Sequence, residues 1–110
     1  MTRLLAALDP CLYPERYSFT ATADLTLKDG DFAIVREAEG LTLVRPDPGG
    51  DWARISLGVH SSLDAVGLTA ALATRLADVG ISANIVAAFY HDHIFVQWDR
   101  RKEALALLRG

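Results

Sequence analysis

Cysteine is nearly absent from this sequence of 110 residues, which contains only Cys11. A single thiol excludes an internal disulfide framework and a cysteine metal cluster, and it is typical of proteins from a reducing compartment. We therefore interpret Cys11 as a small apolar side chain rather than a nucleophile. The protein is expected to be cytoplasmic.

Positive charge and long hydrophobic runs are also scarce. Eleven Lys and Arg residues face 14 Asp and Glu residues, for a net charge of -3. The arginines are scattered, so nucleic acid is not an expected partner.

The apolar run over residues 4–8 is interrupted by Asp9 and Pro10 and is too short for a signal peptide or a membrane span. With 51% hydrophobic residues, the chain has the composition of one globular domain with a modest core.

The first part of the chain is predicted to contain a short helix followed by three antiparallel strands. Leu4, Leu5 and Leu8 share one helical face, and Pro10 ends that helix. Alternation of apolar and polar residues and two turn signals, Asp29-Gly30 and Gly40, place the strands at residues 17–22, 32–36 and 41–44. A loop rich in proline and glycine follows at residues 45–51.

The second part is predicted to have the order β-α-β-β-α. A strand runs through residues 55–59, a helix covers residues 63–79 and ends at Gly80, and further elements are a strand at 81–89, a strand at 94–98 and a helix at 102–108. This order describes a ferredoxin-like α+β sandwich with helices on one face of an antiparallel sheet, but the final strand is missing. Since the first part starts with a helix and a strand, we predict two interlocked halves, residues 1–46 and 52–110.

The stretch VHSSLDAVGLT, residues 59–69, places a glycine in the first turns of the predicted helix. Glycine in a helix interior costs about 1 kcal/mol relative to alanine. Ser61 and Asp64 have the spacing of a capping box, which accounts for both residues structurally. The same helix start offers amide groups to a ligand carboxylate, and Gly67 would leave room for that ligand.

The histidines permit a second interpretation. His91 and His93 flank Asp92, and His60 is available as a third imidazole for a metal ion, although a full ligand set is not evident. More often, such histidines hydrogen-bond a turn or line a polar pocket. His60 beside Ser61 and Ser62 lacks the strained turn of a nucleophile elbow, so catalysis is not predicted.

The segment over residues 52–96 resembles an ACT domain, a small βαββαβ module that binds amino acids and other effectors. Asp64-x-x-Gly67-Leu68 is similar to the family's Asp-x-Pro-Gly-hydrophobic turn, with Val66 in place of the proline, and Gly80-Ile81-Ser82 resembles the entry into its second strand. The stretches REAEGLTLV, SSLDAVGLTA and YHDHIFV are similar to small stand-alone bacterial proteins with two interlocked ACT-like halves.

This resemblance implies a site at the first strand-helix loop, completed by the second strand of a neighbouring module. The residues it implies are His60, Ser61, Ser62, Leu63, Asp64, Val66, Gly67, Leu68, Asn84 and Val86. The hypothesis is a non-catalytic, homo-oligomeric regulatory protein that binds an amino acid and needs no cofactor, nucleic acid or membrane. The alternatives are a structural or protein-interaction module without a ligand, and a metal-binding protein that uses His60, His91 and His93.

Overall fold

The computed structural model describes residues 8–59 and 67–110. Within these residues the chain forms six strands, two α-helices and one 3-10 turn. In chain order these are β1 (Pro10–Thr22), β2 (Ala33–Glu37), β3 (Gly40–Pro46), β4 (Trp52–Leu57), α1 (Leu68–Ala77), β5 (Asn84–Ala87), β6 (Asp92–Gln97), the 3-10 turn (Trp98–Arg100) and α2 (Arg101–Leu108). The second part therefore has the predicted order β-α-β-β-α.

The six strands form one antiparallel sheet with the order β2-β3-β1-β4-β6-β5. The long strand β1 is central because it pairs with β3 through its C-terminal half and with β4 through its N-terminal half. The pairing with β4 changes register between Leu12 and Arg16. Strand β1 therefore joins the first and second parts of the chain into a single sheet.

One prediction for the first part needs correction. The strand predicted to start at Tyr17 starts at Pro10, where the missing amide of proline is tolerated at a strand end. Pairing of Pro10, Cys11 and Leu12 with β4 extends this strand. Of the predicted helix, Leu8 is described and is buried, and its carbonyl accepts a hydrogen bond from the amide of Val59. Residues 1–7 lie outside the described residues.

One face of the sheet packs against both helices. Alternation along β4 and β6 directs Ala53, Ile55, Leu57, Ile94 and Val96 to this face. Leu68, Leu72 and Leu76 of α1 and Ala104 and Leu108 of α2 complete the core. The predicted i, i+4 spacing of the leucines in α1 is thus confirmed, whereas Val79 lies beyond the helix end and is exposed.

The opposite face, which we call the aromatic face, is built around Tyr17, Val44 and Phe95, with Tyr13, Phe32, Trp52 and Val86 packed against them. Three strands lie between β2 and β6, so a flat sheet would separate them by about 19 Å. Nevertheless the Phe32 ring, one residue before β2, lies 4.9 Å from the His93 ring and 5.2 Å from the Phe95 ring of β6. The sheet is therefore curled around the aromatic face.

Helix α1 starts later than predicted, and Gly80 terminates it as predicted. It begins at Leu68, and Gly67 is its N-cap with φ of 94°, so Gly67 does not lie in the helix interior. Only glycine adopts this left-handed conformation readily. At the other end, Gly80 has φ of 77°, and the amides of Gly80 and Ile81 donate to the carbonyls of Ala77 and Leu76. This Schellman motif confirms Gly80 as the predicted terminator.

Strand β5 is much shorter than the predicted strand over residues 81–89. It contains only Asn84–Ala87, because Ile81 closes the end of α1 and the amide of Ala88 donates to the carbonyl of His91 in the following turn. The turn predicted at residues 90–93 accordingly ends at His91, and Asp92 already belongs to β6. Among the described residues, neither helix is long and apolar enough to cross a membrane.

Candidate functional site

Polar residues lie on the aromatic face where β4 and β6 pair. Along β4, Arg54 and Ser56 alternate with the buried residues of the helix-covered face, so their side chains project to the other side. Ser56 is paired with His93 in the ladder between β4 and β6. Sheet alternation and register therefore bring Arg54, Ser56 and His93 together.

The guanidinium of Arg54 is held between aromatic rings. Its central carbon lies 4.0 Å from the centre of the Tyr13 ring and 4.6 Å from that of Phe32. Its Nε donates to Ser56 Oγ, and its Nη1 donates to the hydroxyl of Tyr17, each at 3.1 Å. Stacking and hydrogen bonds fix the orientation of the guanidinium without neutralising its charge.

Arg54 has no carboxylate partner in the part of the chain that the structure describes. The ion pair found within residues 8–59 and 67–110 joins Arg100 and Glu103 on the surface. A partly buried cation without an anion is unusual because burial removes part of its hydration. The arrangement favours binding of an anionic group at Arg54.

A polar chain continues from Arg54 through Ser56 to His93. Ser56 Oγ accepts a hydrogen bond from Arg54 and lies 2.7 Å from Nδ1 of His93. The Ser56 hydroxyl can donate to Nδ1 when the imidazole proton is on Nε2, or accept from Nδ1 when the proton is there. Ser56, the middle member of this hydrogen-bonded series, is 8% exposed and is therefore largely shielded from bulk water.

The pKa of His93 is lowered from its ordinary value. Burial is the main cause, and the positive charge of Arg54 and the neighbouring His91 lower it further, whereas Asp92 raises it. The lowered pKa favours the neutral imidazole of His93 at pH 7. An anion beside it would favour its protonated form.

These residues line a cavity of about 250 Å³ at the end of β4. Arg54, Ser56, His91 and His93 contribute nitrogen and hydroxyl groups, and Asp9 contributes a carboxylate. The exposed Cys11 and the ring of Tyr13 also line the cavity. The site thus contains groups that suit both an anion and a cation.

Asp9 and Gly58, which both line the cavity, lie close together. The amide of Gly58 donates to the carbonyl of Asp9 at 2.8 Å. A Cβ on Gly58 would overlap the carboxylate of Asp9. Nearby, Nδ1 of His91 donates to the carbonyl of Val59 at 3.4 Å. Val59 is the last described residue before residues 60–66, so the cavity adjoins the start of the predicted ligand-binding loop.

Six of the predicted site residues lie outside the described residues: His60, Ser61, Ser62, Leu63, Asp64 and Val66. Gly67 is described, and a Cβ there would meet no heavy atom within 4 Å. Its positive φ, rather than a close neighbour, accounts for the glycine. Leu68 is buried in the core beneath the helices.

Asn84 and Val86, which are predicted to complete the site from a neighbouring module, lie on β5. Asn84 is exposed, whereas Val86 packs against the aromatic face. Leu68 and Val86 are therefore on opposite sides of the sheet and do not meet within one chain. The resemblance places Asn84 and Val86 in a neighbouring module, and this part of the site stays a prediction.

His91 and His93 both line the cavity, as residues two apart at a strand start should. Among the described residues, however, no group of three or more His, Cys, Asp or Glu side chains is arranged to hold a metal ion. The remaining member of the predicted metal set, His60, lies outside the described residues. The geometry within the described chain therefore gives the metal hypothesis no ligand set.

A second, larger cavity of about 640 Å³ lies at the other end of β1. Its lining includes Thr22, Glu37, Glu39 and Thr42 but no basic residue, and the hydroxyl of Thr42 donates to Glu37. The Glu pair at the β2–β3 turn thus lies in an acidic, open depression. Of the two cavities, only the one at Arg54 suits an anion.

Sequence reasoning missed Arg54, Ser56 and Asp9. Alternation already placed Arg54 and Ser56 on the side of β4 away from the core, and a charged residue in a central strand is a signal of function. Asp9 carried no such signal, because its role depends on pairing between β1 and the end of β4.

Two family models described as ACT domain match the chain, one over residues 49–110 and the other over residues 1–56. The chain belongs to the ACT domain family. ACT domains are typically regulatory rather than catalytic, usually bind small ligands and commonly form oligomers. No match indicates a catalytic family.

Solved structures resemble this ACT domain protein over most of its length. A Vibrio cholerae protein, described as of unknown function and a possible transport protein, is 43% identical, with a TM-score of 0.80, and the match covers 97% of this chain and 92% of the other. An Agrobacterium tumefaciens protein is 21% identical, with a TM-score of 0.60 and coverage of 84% and 78%, and shares the fold. A search of curated proteins finds no match.

Proposed function

We propose that this ACT domain protein is a non-catalytic regulatory protein that binds a free amino acid. The observation that carries the proposal is the partly buried guanidinium of Arg54, which lines a cavity of about 250 Å³. Within residues 8–59 and 67–110 this guanidinium has no carboxylate partner. A ligand carboxylate would supply the missing anion through charge-assisted hydrogen bonds.

The cavity also contains a partner for the ammonium group of an amino acid. Asp9 provides a carboxylate on the same lining, and it is placed there by the hydrogen bond between its carbonyl and the amide of Gly58. An ammonium group would pair with Asp9 while the carboxylate pairs with Arg54. A zwitterion therefore leaves neither charge of the cavity without a partner.

We extend the site to the loop that follows β4. The chain leaves the described sheet at Val59, beside the cavity. The residues predicted to bind at the following loop and helix start are His60, Ser61, Ser62, Leu63, Asp64, Val66, Gly67 and Leu68. Their amides and Asp64 would contact the ligand. Asn84 and Val86 would contribute from a second copy of the chain.

We also propose that the protein is a cytoplasmic homo-oligomer with two interlocked ACT-like halves, residues 1–46 and 52–110. Strand β1 supports the interlocking, since it comes from the first half and pairs antiparallel with β4 of the second. In a βαββαβ unit this place beside the first strand belongs to the fourth strand. The first half would thereby supply the fourth strand of the second half's unit.

Isothermal titration calorimetry of the whole chain against the free amino acids tests this function. At least one should bind with a Kd below about 1 mM. Arg54→Gln should weaken that binding about tenfold or more, because one charge-assisted interaction is lost. Arg101→Gln is a matched control, since Arg101 stacks on Trp98 outside the cavity. Absence of binding by every amino acid would refute the function.

A protein-interaction module is the second candidate, and one surface feature favours it. Phe89 and Tyr90 are 71% and 65% exposed and contact each other edge to face in the β5–β6 turn. Exposed aromatic pairs are typical of contact surfaces. Light scattering of the unmodified chain and of Phe89→Ser tests whether the pair lies in an interface between copies, because the substitution should then lower the mass.

A further inference from the structure

Arg54 and His93 contact the same hydroxyl group. Arg54 Nε donates to Ser56 Oγ at 3.1 Å, and Nδ1 of His93 lies 2.7 Å from the same oxygen. All three residues line the cavity in which we place the ligand carboxylate. A positive charge on the imidazole would therefore lie beside the guanidinium and beside any anion that the guanidinium binds.

Charged groups from neighbouring strands act on His93. The described titratable groups that adjoin it or share its cavity are Arg54 of β4, Asp92 of β6, His91 just before β6, Cys11 of β1 and Asp9 just before β1. Phe32 and Val86, which also pack on the aromatic face, add no charge. Burial lowers the pKa of His93 most, and Arg54 is the charge that lowers it further. Without a ligand, the guanidinium therefore opposes protonation of the imidazole.

A carboxylate bound at Arg54 changes this balance. It offsets the charge of the guanidinium and places a negative charge in the cavity, and both effects favour the imidazolium. An ammonium group bound at Asp9 acts in the opposite direction. Besides burial, however, the pKa of His93 responds within the described residues to the charges of Arg54, His91 and Asp92. The carboxylate therefore has the larger effect on His93.

Protonation of His93 also provides a hydrogen-bond donor for the ligand. In the imidazolium both ring nitrogens carry hydrogens, whichever nitrogen carried the hydrogen before. Nδ1 then donates to Ser56 Oγ, which has lone pairs for this hydrogen bond and for the one from Arg54. The hydrogen of the Ser56 hydroxyl is consequently available to a carboxylate in the cavity.

We infer that ligand binding at this site depends on pH, because protonation of His93 strengthens the binding of a carboxylate at Arg54. This inference rests on the proposed function for the position of the carboxylate, and it adds a means of regulation. By linkage, the bound carboxylate favours the protonated imidazole to the same extent. The affinity should therefore increase as the pH decreases, until His93 is protonated in both the free and the bound protein.

Calorimetry at a series of pH values tests the inference, with the free amino acid that binds most tightly as the probe. Between about pH 7.5 and 5.5 its Kd should decrease about threefold or more. Binding should also take up protons, measured as a dependence of the binding enthalpy on the ionisation enthalpy of the buffer. His93→Gln should abolish both effects. His91→Gln should retain them, because it removes the imidazole whose Nδ1 faces the carbonyl of Val59.

NMR of the unmodified chain gives a second readout, with sodium acetate as a probe that offers a carboxylate alone. Acetate should raise the pKa of His93, followed through its ring signals, more than sodium chloride does at the same ionic strength. Arg54→Gln should remove this difference. Arg54→Lys, which keeps the charge but not the fork of donors, should retain part of it. The comparison of the two salts remains decisive if Arg54→Gln fails to fold.

The outcomes separate this inference from the proposed function. An amino acid that binds with the same Kd across this pH range, or a pH dependence that persists in His93→Gln, would overturn the inference and leave amino-acid binding intact. An effect of acetate on His93 without binding of any amino acid would support the linkage and refute the amino-acid function. Absence of both would refute both.

Discussion

Ser56 Oγ lies 2.7 Å from His93 Nδ1, and this bond joins side chains that are directly opposite each other in the ladder between β4 and β6. The two residues are 37 positions apart in the sequence. Ser56 Oγ also accepts a hydrogen bond from Arg54 Nε. The same hydroxyl therefore contacts both the guanidinium of Arg54 and the imidazole of His93. Hydrogen bonds thereby join Arg54, Ser56 and His93, which all line the cavity.

Removing the charge of Arg54 should raise the pKa of His93. Burial lowers this pKa first and Arg54 lowers it further, so Arg54→Gln removes one of the opposing contributions to protonation. A pH titration of the His93 ring signals by NMR measures the change. Arg101→Gln, which removes a distant charge, should leave the titration of His93 unaltered.

The stability of the protein should fall as the pH decreases through about 6.5. His93 has a lower pKa in the folded chain, so the unfolded chain binds the proton more readily in this range and the free energy of unfolding decreases. Urea denaturation at a series of pH values provides the measurement. His93→Gln should flatten the decrease, and an unchanged slope in that variant would contradict this assignment.

Gly67→Ala should destabilise the fold by about 1–3 kcal/mol through backbone strain alone. Gly67 has φ of 94°, while a Cβ would meet no neighbouring heavy atom within 4 Å. Gly67→Asn should cost less, since asparagine tolerates left-handed conformations better. Chemical denaturation of both variants measures the difference. Equal costs would show that the backbone conformation is not the reason for this glycine.

Gly49 and Gly50 form a matched pair for a steric prediction. A Cβ on Gly50 would overlap the backbone carbonyl of Tyr17, whereas one on Gly49 would lie 3.7 Å from an oxygen of Asp47, an ordinary contact. Gly50→Ala should therefore lose about 1–3 kcal/mol of stability, and Gly49→Ala should be nearly neutral. Thermal unfolding of the two variants under the same conditions tests the contrast.

Much of the fold follows from patterns in short stretches of sequence. Alternation in residues 52–57 already separates Ala53, Ile55 and Leu57 from Arg54 and Ser56, because side-chain direction in a strand has a period of two. Gly80 likewise marks the end of α1 by its local conformational freedom. Local patterns failed at Gly67, where they did not distinguish a helix interior from a helix boundary.

The sequence by itself determined the order of the elements in the second part of the chain and the face on which each strand residue lies. These features depend on neighbours within a few positions, which periodicity records. Only the tertiary structure decided that β1 starts at Pro10 beside β4, and that the sheet curls until Phe32 contacts His93. Both depend on pairing between distant segments, whose free energy comes from surfaces that meet only after folding. The cavity at Arg54 is formed by that long-range closure.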